Sequence, residues 1–453
     1  MEFHAVIFAA GVGTRFRDIV GSRPKCLLTV GGFPLIFYPL NFCSKYGFED
    51  VTIIVLESQK NEIAQRISKL PLQKVKYDFV CLNQESQEDY GTADALRLVS
   101  EKIKSDVILI SCDTITNIDF FPVLDLFRMN DASCVALFDK GVEANPTPIV
   151  IPGPKVKQQK SERDLVGIDS ENNRLLFLAS TTDFQENLSL PGHLLRSHGK
   201  MTIHSNLNDA HIYLLKKWVV NYIANSDKFS TVKGELLPFI IKKQLSRPLK
   251  SLTSGFSEVN FDQNDIFEHI KQNELDQKIL QTNLNTFSRL KRSTNSELIR
   301  CFAYVAPEET FCMRVNTLLN YCQANKKIVS LFHTLADPNI PLVSRNATIQ
   351  SNQISDSAVA ENSTIAEKTS IKNSIFGIGC NVEPKTRITD SILMNGVTVE
   401  ERVILENCII CDKAVIKQGS TLKNCLVGHN FIVRENTVAD RKTLSTGEGF
   451  MEI

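Results

Sequence analysis

The sequence has 453 residues, 43% hydrophobic and 23% charged, with 51 Lys and Arg against 51 Asp and Glu. That much apolar material excludes disorder along the whole chain, and at about 100–200 residues per domain it predicts two to four domains. A net charge of zero argues against a sequence-blind nucleic-acid binder.

No apolar run reaches the ~18 residues a membrane helix needs. Met1-Glu2-Phe3-His4 has neither the basic region nor the cleavage site of a secretory leader. The twelve cysteines are scattered through apolar runs and do not mark out a disulfide scaffold. Together these predict a cytosolic protein with reduced thiols.

In chain order, residues 3–9, 51–56, 106–111 and 133–138 are apolar runs that read as buried strands. Between them lie helical patterns. Ile63, Ile67 and Leu70 share a face, residues 93–99 follow a Gly91-Thr92 turn, and residues 120–127 follow Asp119 as N-cap. Continuous apolar strands alternating with helices predict a mostly parallel sheet covered on both faces. Such sheets bind ligands beyond the carboxyl ends of their strands.

The first of those ends reads Ala9-Ala10-Gly11-Val12-Gly13-Thr14-Arg15-Phe16. Its glycines let backbone approach a phosphate, and successive N–H groups can cradle an anion. Arg15 can fork onto phosphate oxygens. The loop reads equally as a tight turn, since it lacks the third Gly of a dinucleotide fingerprint and the Gly-Lys-Ser/Thr of a P-loop. Pro24-Lys25-Cys26, Tyr90-Gly91-Thr92-Ala93 and Ser111-Cys112-Asp113 follow. Asp113 ends a buried strand, where a carboxylate can hold Mg²⁺ or simply cap a turn. Lys25 alone is an ordinary surface lysine. The order and strand-end placement of the set are what make it specific.

Residues 251–300, rich in Asn, Gln, Ser and Lys, predict a mobile insertion. Residues 301–305 read as a strand and residues 315–325 as a helix returning to the first domain. Beyond them the chain repeats every 17 residues. Ile354, Ile371, Ile388, Leu405 and Leu422 form one aliphatic column; Ile365, Val382, Val399, Ile416 and Val433 form another. Val359, Phe376, Leu393, Ile410 and Val427 form a third apolar column. Asp356, Asn373, Asp390, Asn407 and Asn424 form a polar column, and Ser357, Ser374, Ser391, Cys408 and Cys425 a small one. A short fixed period with several inward positions per repeat predicts a three-sided β-helix. The Asp/Asn column suits a turn, and Gly377, Gly379 and Gly396 suit sharp corners. Cys408-Ile409-Ile410-Cys411 has a zinc or redox spacing, but the small column already accounts for Cys408.

On these motifs the chain resembles the nucleotide-sugar pyrophosphorylase superfamily. Gly13-Thr14-Arg15, Pro24-Lys25, Gly91-Thr92-Ala93 and Asp113 match its Gly-rich loop, Pro-Lys motif, Gly-Thr-Ala turn and metal-binding Asp. The resemblance implies a Rossmann-like nucleotidyltransferase-type α/β domain, residues 1–335, followed by a left-handed parallel β-helix, residues 336–453. It implies a vestigial nucleotide site at Gly11, Gly13, Thr14, Arg15, Lys25, Gly91 and Thr92. The ligand there would be GTP or ATP, with Mg²⁺ on Asp113.

A closer resemblance is to subunits of eukaryotic translation initiation factor 2B. It rests on residues 34–41 (PLIFYPLN), 209–213 (DAHIY), 235–239 (ELLPF), 301–304 (CFAY) and 320–325 (NYCQAN). Several of these stretches have no catalytic rationale. Departures from an active pyrophosphorylase accompany them. Ala10 replaces the first loop Gly, Cys26 follows Pro-Lys in place of Pro, and no Glu-Lys-Pro element lies between residues 166 and 206. His211 stands where a sugar-lining Gly is usual, and reads as a buried structural histidine. The resemblance therefore implies a noncatalytic subunit with no required cofactor and no catalytic residues. It would belong to the exchange factor that promotes GDP release from initiation factor 2. The implied partners are the epsilon subunit, the other subunits and initiation factor 2, with no direct nucleic acid and no membrane. An active sugar-nucleotide pyrophosphorylase is the alternative. A β-helix acyltransferase, with His429 as its base, is a third reading.

Overall fold

The computed structural model describes residues 2–11, 13, 19, 21, 23–72, 75–83, 90–141, 150–154, 164–180, 190, 192–246, 266–270, 298–336 and 340–445. Seven strands build the front sheet: β1 Phe3–Phe8, β2 Asp50–Leu56, β3 Lys76–Leu82, β4 Asp106–Ser111, β5 Cys134–Asp139, β6 Asn208–Leu215 and β7 Cys301–Val305. Their order across the sheet is β7-β5-β6-β4-β1-β2-β3. β6 runs antiparallel to both neighbours and every other pair is parallel. The sheet is thus mostly parallel, as the apolar runs predict. The strand at 76–82 escapes a search for apolar runs because it is an edge strand, with its first three residues exposed.

Helices follow as α1 Phe37–Lys45, α2 Lys60–Ile67, α3 Thr92–Val99, α4 Phe121–Met129, α5 Lys217–Ala224, α6 Leu237–Lys243 and α7 Leu318–Leu335. Alternate strand residues divide the core into two layers. Ala5, Ile7, Ile108 and Ile110 pack against α1, α2 and α4. Val6, Val107 and Leu109 pack against α3, α5 and α6. Asp119 is not the cap predicted for α4: it accepts from the Phe121 N–H at 3.2 Å in the preceding turn, and Phe120 takes the cap position without a side-chain bond. α7 runs ten residues beyond the predicted end at 325, because Ile328, Phe332 and Leu335 extend its buried stripe. Thr317 caps it by accepting from the Asn320 N–H at 3.2 Å. The predicted mobile insertion lies mostly outside the described residues. Among the described residues, no helix is long and apolar enough to cross a membrane.

From residue 340 the chain winds into three parallel six-stranded sheets. Residues 17 apart sit in register, so Ile365, Val382, Val399, Ile416 and Val433 stack inward at 0–1% exposure. The Asp/Asn column turns a corner with φ between 47° and 51°, where short polar side chains tolerate the left-handed conformation. Gly379 and Gly396 turn another corner at φ 67° and 68°. Gly377 does not share that conformation. It is required because a Cβ there would lie 2.7 Å from the Met394 carbonyl carbon of the next coil. The small column has its own cause. The Ser357, Ser374 and Ser391 hydroxyls accept from the backbone N–H one coil onward, at 3.1–3.2 Å. Cys408 lies inside the coils while Cys411 belongs to a different cluster outside them. Among the described residues no group of three His, Cys, Asp or Glu could hold a metal.

A third apolar cluster joins the two parts. α7 contributes Tyr321, Cys322, Ile328 and Phe332; the outer face of one β-helix sheet contributes Ala358, Ile375, Ile392, Ile409 and Leu426. Phe33 stacks on Phe37 and Phe332, with ring centroids 4.5 and 5.4 Å apart. Two of the motifs without catalytic rationale, residues 34–41 and 320–325, meet here. Tyr321 Oη donates to the Thr29 carbonyl at 3.0 Å, Asn325 Oδ1 accepts from Gly31 N–H at 3.0 Å, and Asn41 Nδ2 donates to the Leu335 carbonyl at 2.8 Å. Residues 34–41 face inward: Leu35, Phe37 and Leu40 are fully buried within this chain. Arg23 pairs with Asp412 at 2.8 Å across the same junction. The His429 ring lies against Gly21 of the front part and 3.6 Å from Asp412, so it too is a junction residue.

Candidate functional site

β1 and β4 are neighbours whose carboxyl ends feed connections in opposite directions across the sheet, the place where α/β folds bind ligands. The structure brings Gly11, Gly13, Lys25 and Asp113 to that place. Gly13 has φ +68°, and its missing Cβ would sit 3.2 Å from the Lys25 stem. Gly11 faces open space. Thr14 and Arg15 lie outside the described residues.

Asp113 is 1% exposed and fully engaged. Lys25 Nζ pairs with its Oδ2. Ser111 Oγ donates to Oδ1 at 2.6 Å. Arg314 Nε reaches both oxygens, at 3.1 and 3.3 Å. Burial alone would raise the Asp113 pKa, but Arg314 and Lys25 outweigh it and hold the carboxyl well below the usual range. Arg314 was not legible as a site residue. It lies 201 positions from Asp113 and reaches it because the short strand Cys312–Arg314 pairs antiparallel with Thr114–Thr116, directly after Asp113. The one available signal was a cation alternating with apolar residues, which is weak.

The other end of Arg314 donates from Nη1 to His211 Nε2 at 2.8 Å. A guanidinium cannot accept, so this Nε2 carries no proton and the ring is neutral. Burial lowers the His211 pKa to about 4, with Arg314 acting in the same direction against Asp209. His211 takes φ +53° at a β-bulge in β6, held by its N–H donating to Asp209 Oδ1 at 2.7 Å. Tyr213 Oη donates to the other Asp209 oxygen at 2.5 Å. The imidazole therefore fills the site as a structural acceptor. Because folding depresses its pKa, stability is complete above pH 6.5 and declines as pH falls toward 4. We expect about 1–3 kcal/mol of this loss to vanish in His211→Asn, which tolerates the same φ. Unfolding midpoints measured from pH 4 to 7 would show the flattened slope.

Gly91 and Thr92 begin α3, and polar groups of this turn already have partners within the chain. Gly91 N–H donates to Asp94 at 3.1 Å and Ala93 N–H to the Ser230 carbonyl at 2.8 Å. The Thr92 hydroxyl accepts from Val232 N–H at 2.8 Å. A Cβ on Gly91 would lie 2.1 Å from the Ser230 oxygen. Gly91 is thus needed for close packing between α3 and residue 230. Gly91→Ala should cost about 1–3 kcal/mol by overpacking, read as a lower midpoint in urea.

The superfamily would place Mg²⁺ on Asp113. The residues do not fit it: both carboxylate oxygens already hold cationic donors.

A doubly wound domain with this strand-end site, followed by a β-helix, is the architecture of a nucleotidyltransferase-type chain joined to a left-handed β-helix. Residues 4–148 match the nucleotidyl transferase family, and residues 340–439 match the left-handed β-helix domain family of eIF2B subunit epsilon. The chain is 30% identical to translation initiation factor eIF2B subunit gamma of Schizosaccharomyces pombe, over 82% of this chain and 74% of that one. Against the gamma subunit of Dictyostelium discoideum identity is 28%, over 84% and 88%. The epsilon subunit of S. pombe is 20% identical over 53% of this chain and 35% of its own length. The chain belongs to the family of translation initiation factor 2B gamma subunits.

Proposed function

We propose that the chain is a noncatalytic subunit of the guanine nucleotide exchange factor that promotes GDP release from translation initiation factor 2. It works in the cytosol, without a cofactor of its own. It assembles with the epsilon subunit and the other subunits and helps bind initiation factor 2. The observation that carries the noncatalytic reading is the closure of the strand-end site by the chain's own side chains. A nucleotidyl transfer needs free cationic groups and usually Mg²⁺ to neutralise the phosphates. Here Lys25 and Arg314 already neutralise Asp113, and His211 occupies the space beside them. The pairing with epsilon is supported by the shared β-helix family and by the likeness of the two subunits.

Two measurements test the reading. Incubation with nucleoside triphosphate, sugar phosphates and Mg²⁺ should release no pyrophosphate; turnover near ordinary enzyme rates, ~1–1000 per second, would overturn it. A complex reconstituted with the epsilon subunit should form in sedimentation and accelerate GDP release from initiation factor 2 beyond epsilon alone. Failure of the two chains to associate would remove the assembly role.

A further inference from the structure

We propose that Arg314 is a built-in cation that takes the place of a divalent metal at Asp113, so that the site is electrostatically complete without one. The proposal deepens the noncatalytic reading of the same site and rests on it. Asp113 lies in the turn two residues past the end of β4, 1% exposed, so its charge must be compensated. A divalent ion would do this with its own charge and with waters, one or two carboxylates and substrate phosphates as ligands. The chain supplies instead a guanidinium in contact with both oxygens, an ammonium on Oδ2 and a hydroxyl on Oδ1.

Three further observations make the guanidinium a fixture of the fold. The short strand that carries Arg314 is paired to the strand that follows Asp113, so cation and carboxylate are set by one ladder. Val315 N–H donates to the Asp113 carbonyl at 2.8 Å, and the Arg314 carbonyl accepts from Asn320 Nδ2 at 2.8 Å, which ties the same strand to the start of α7. His211 then accepts from the far side of the guanidinium and blocks its rotation away from Asp113. A cation held on three sides cannot yield to a hydrated metal without breaking these contacts. The arrangement links the old metal position to the helix that carries the β-helix. It turns a substrate site into a structural tie.

The test is Mn²⁺ binding to the full chain, read by water-proton relaxation and without any substrate. The wild type should give no more enhancement than Asp113→Asn at millimolar Mn²⁺. Arg314→Ala, which removes the guanidinium, should gain a Mn²⁺ site that Asp113→Asn in the same background abolishes. Arg314→Lys, which keeps a cation, should still exclude the ion. Mn²⁺ binding to the wild type that disappears in Asp113→Asn overturns the proposal, as does a folded Arg314→Ala chain with no gain. If Arg314→Ala does not fold, the comparison of wild type with Asp113→Asn decides alone. Metal binding without pyrophosphate release would sink this proposal and leave the noncatalytic reading standing. Pyrophosphate release would sink that reading first.

Discussion

Val399→Lys should unfold the β-helix and release the chain from its partner. Val399 is fully buried between Val382 and Ile416 in the inward stack. Val399 packs in an apolar cluster inside the coils, and a charge taken from water without a partner costs several kcal/mol. Extra volume in a packed interior adds to that. The total is a large part of the ~5–15 kcal/mol that holds an ordinary domain together. The damage should also spread forward. The outer face of the same coils contributes Ile375, Ile392 and Ile409 to the junction cluster under α7. Melting the coils therefore strips cover from the front domain. Calorimetry should show a transition moved down by many degrees, and capture by the epsilon subunit should fall with it. Thr398→Lys is the control. Thr398 precedes Val399 on the strand and points outward, only partly covered, so its change should stay within about 0.5 kcal/mol. Equal stability of the two variants would contradict the assigned register.

Asp113→Ala should be a stability mutant and not an activity mutant. It leaves Lys25 and Arg314 charged and facing each other with no anion between them. Breaking a buried ion pair by removing one partner typically costs about 3–5 kcal/mol, here on the order of a ten-degree fall in melting temperature. A cycle with Arg314→Met should recover part of it, since it removes one of the two stranded cations. The effect should depend on pH in a defined direction. Folding depresses the Asp113 pKa below its ordinary 3.8, so its contribution is whole above about pH 4 and is lost as pH falls further. Wild type and variant should therefore converge in acid. GDP release per assembled complex should be unchanged by the substitution. An intact complex that loses exchange with Asp113→Ala would mean that a working nucleotide site exists, and the noncatalytic reading would fail.

The β-helix was legible in the sequence because its order is local and repetitive. Each coil buries the same positions against the next, so Val382, Val399 and Ile416 announce their neighbours at a spacing of 17. The front strands were legible for a similar reason, since a strand buried on both faces is an unbroken apolar run. Lys25 and Asp113 stood out because strand ends are where such sheets bind. What the pattern along the chain could not specify was which groups meet across it. Arg314 reaches Asp113 over 201 residues, and Ser230 meets Asp94 over 136. These meetings decide that the glycine turn is a packing contact and that the carboxylate is already neutralised. The same holds at the junction. Residues 34–41 and 320–325 read as conspicuous motifs without a task until the fold set them against each other beneath the β-helix. Periodicity records which face of a segment is buried. Only the assembled surfaces determine what that face is buried against, and here that pairing sets two cations and a histidine around the Asp113 carboxylate.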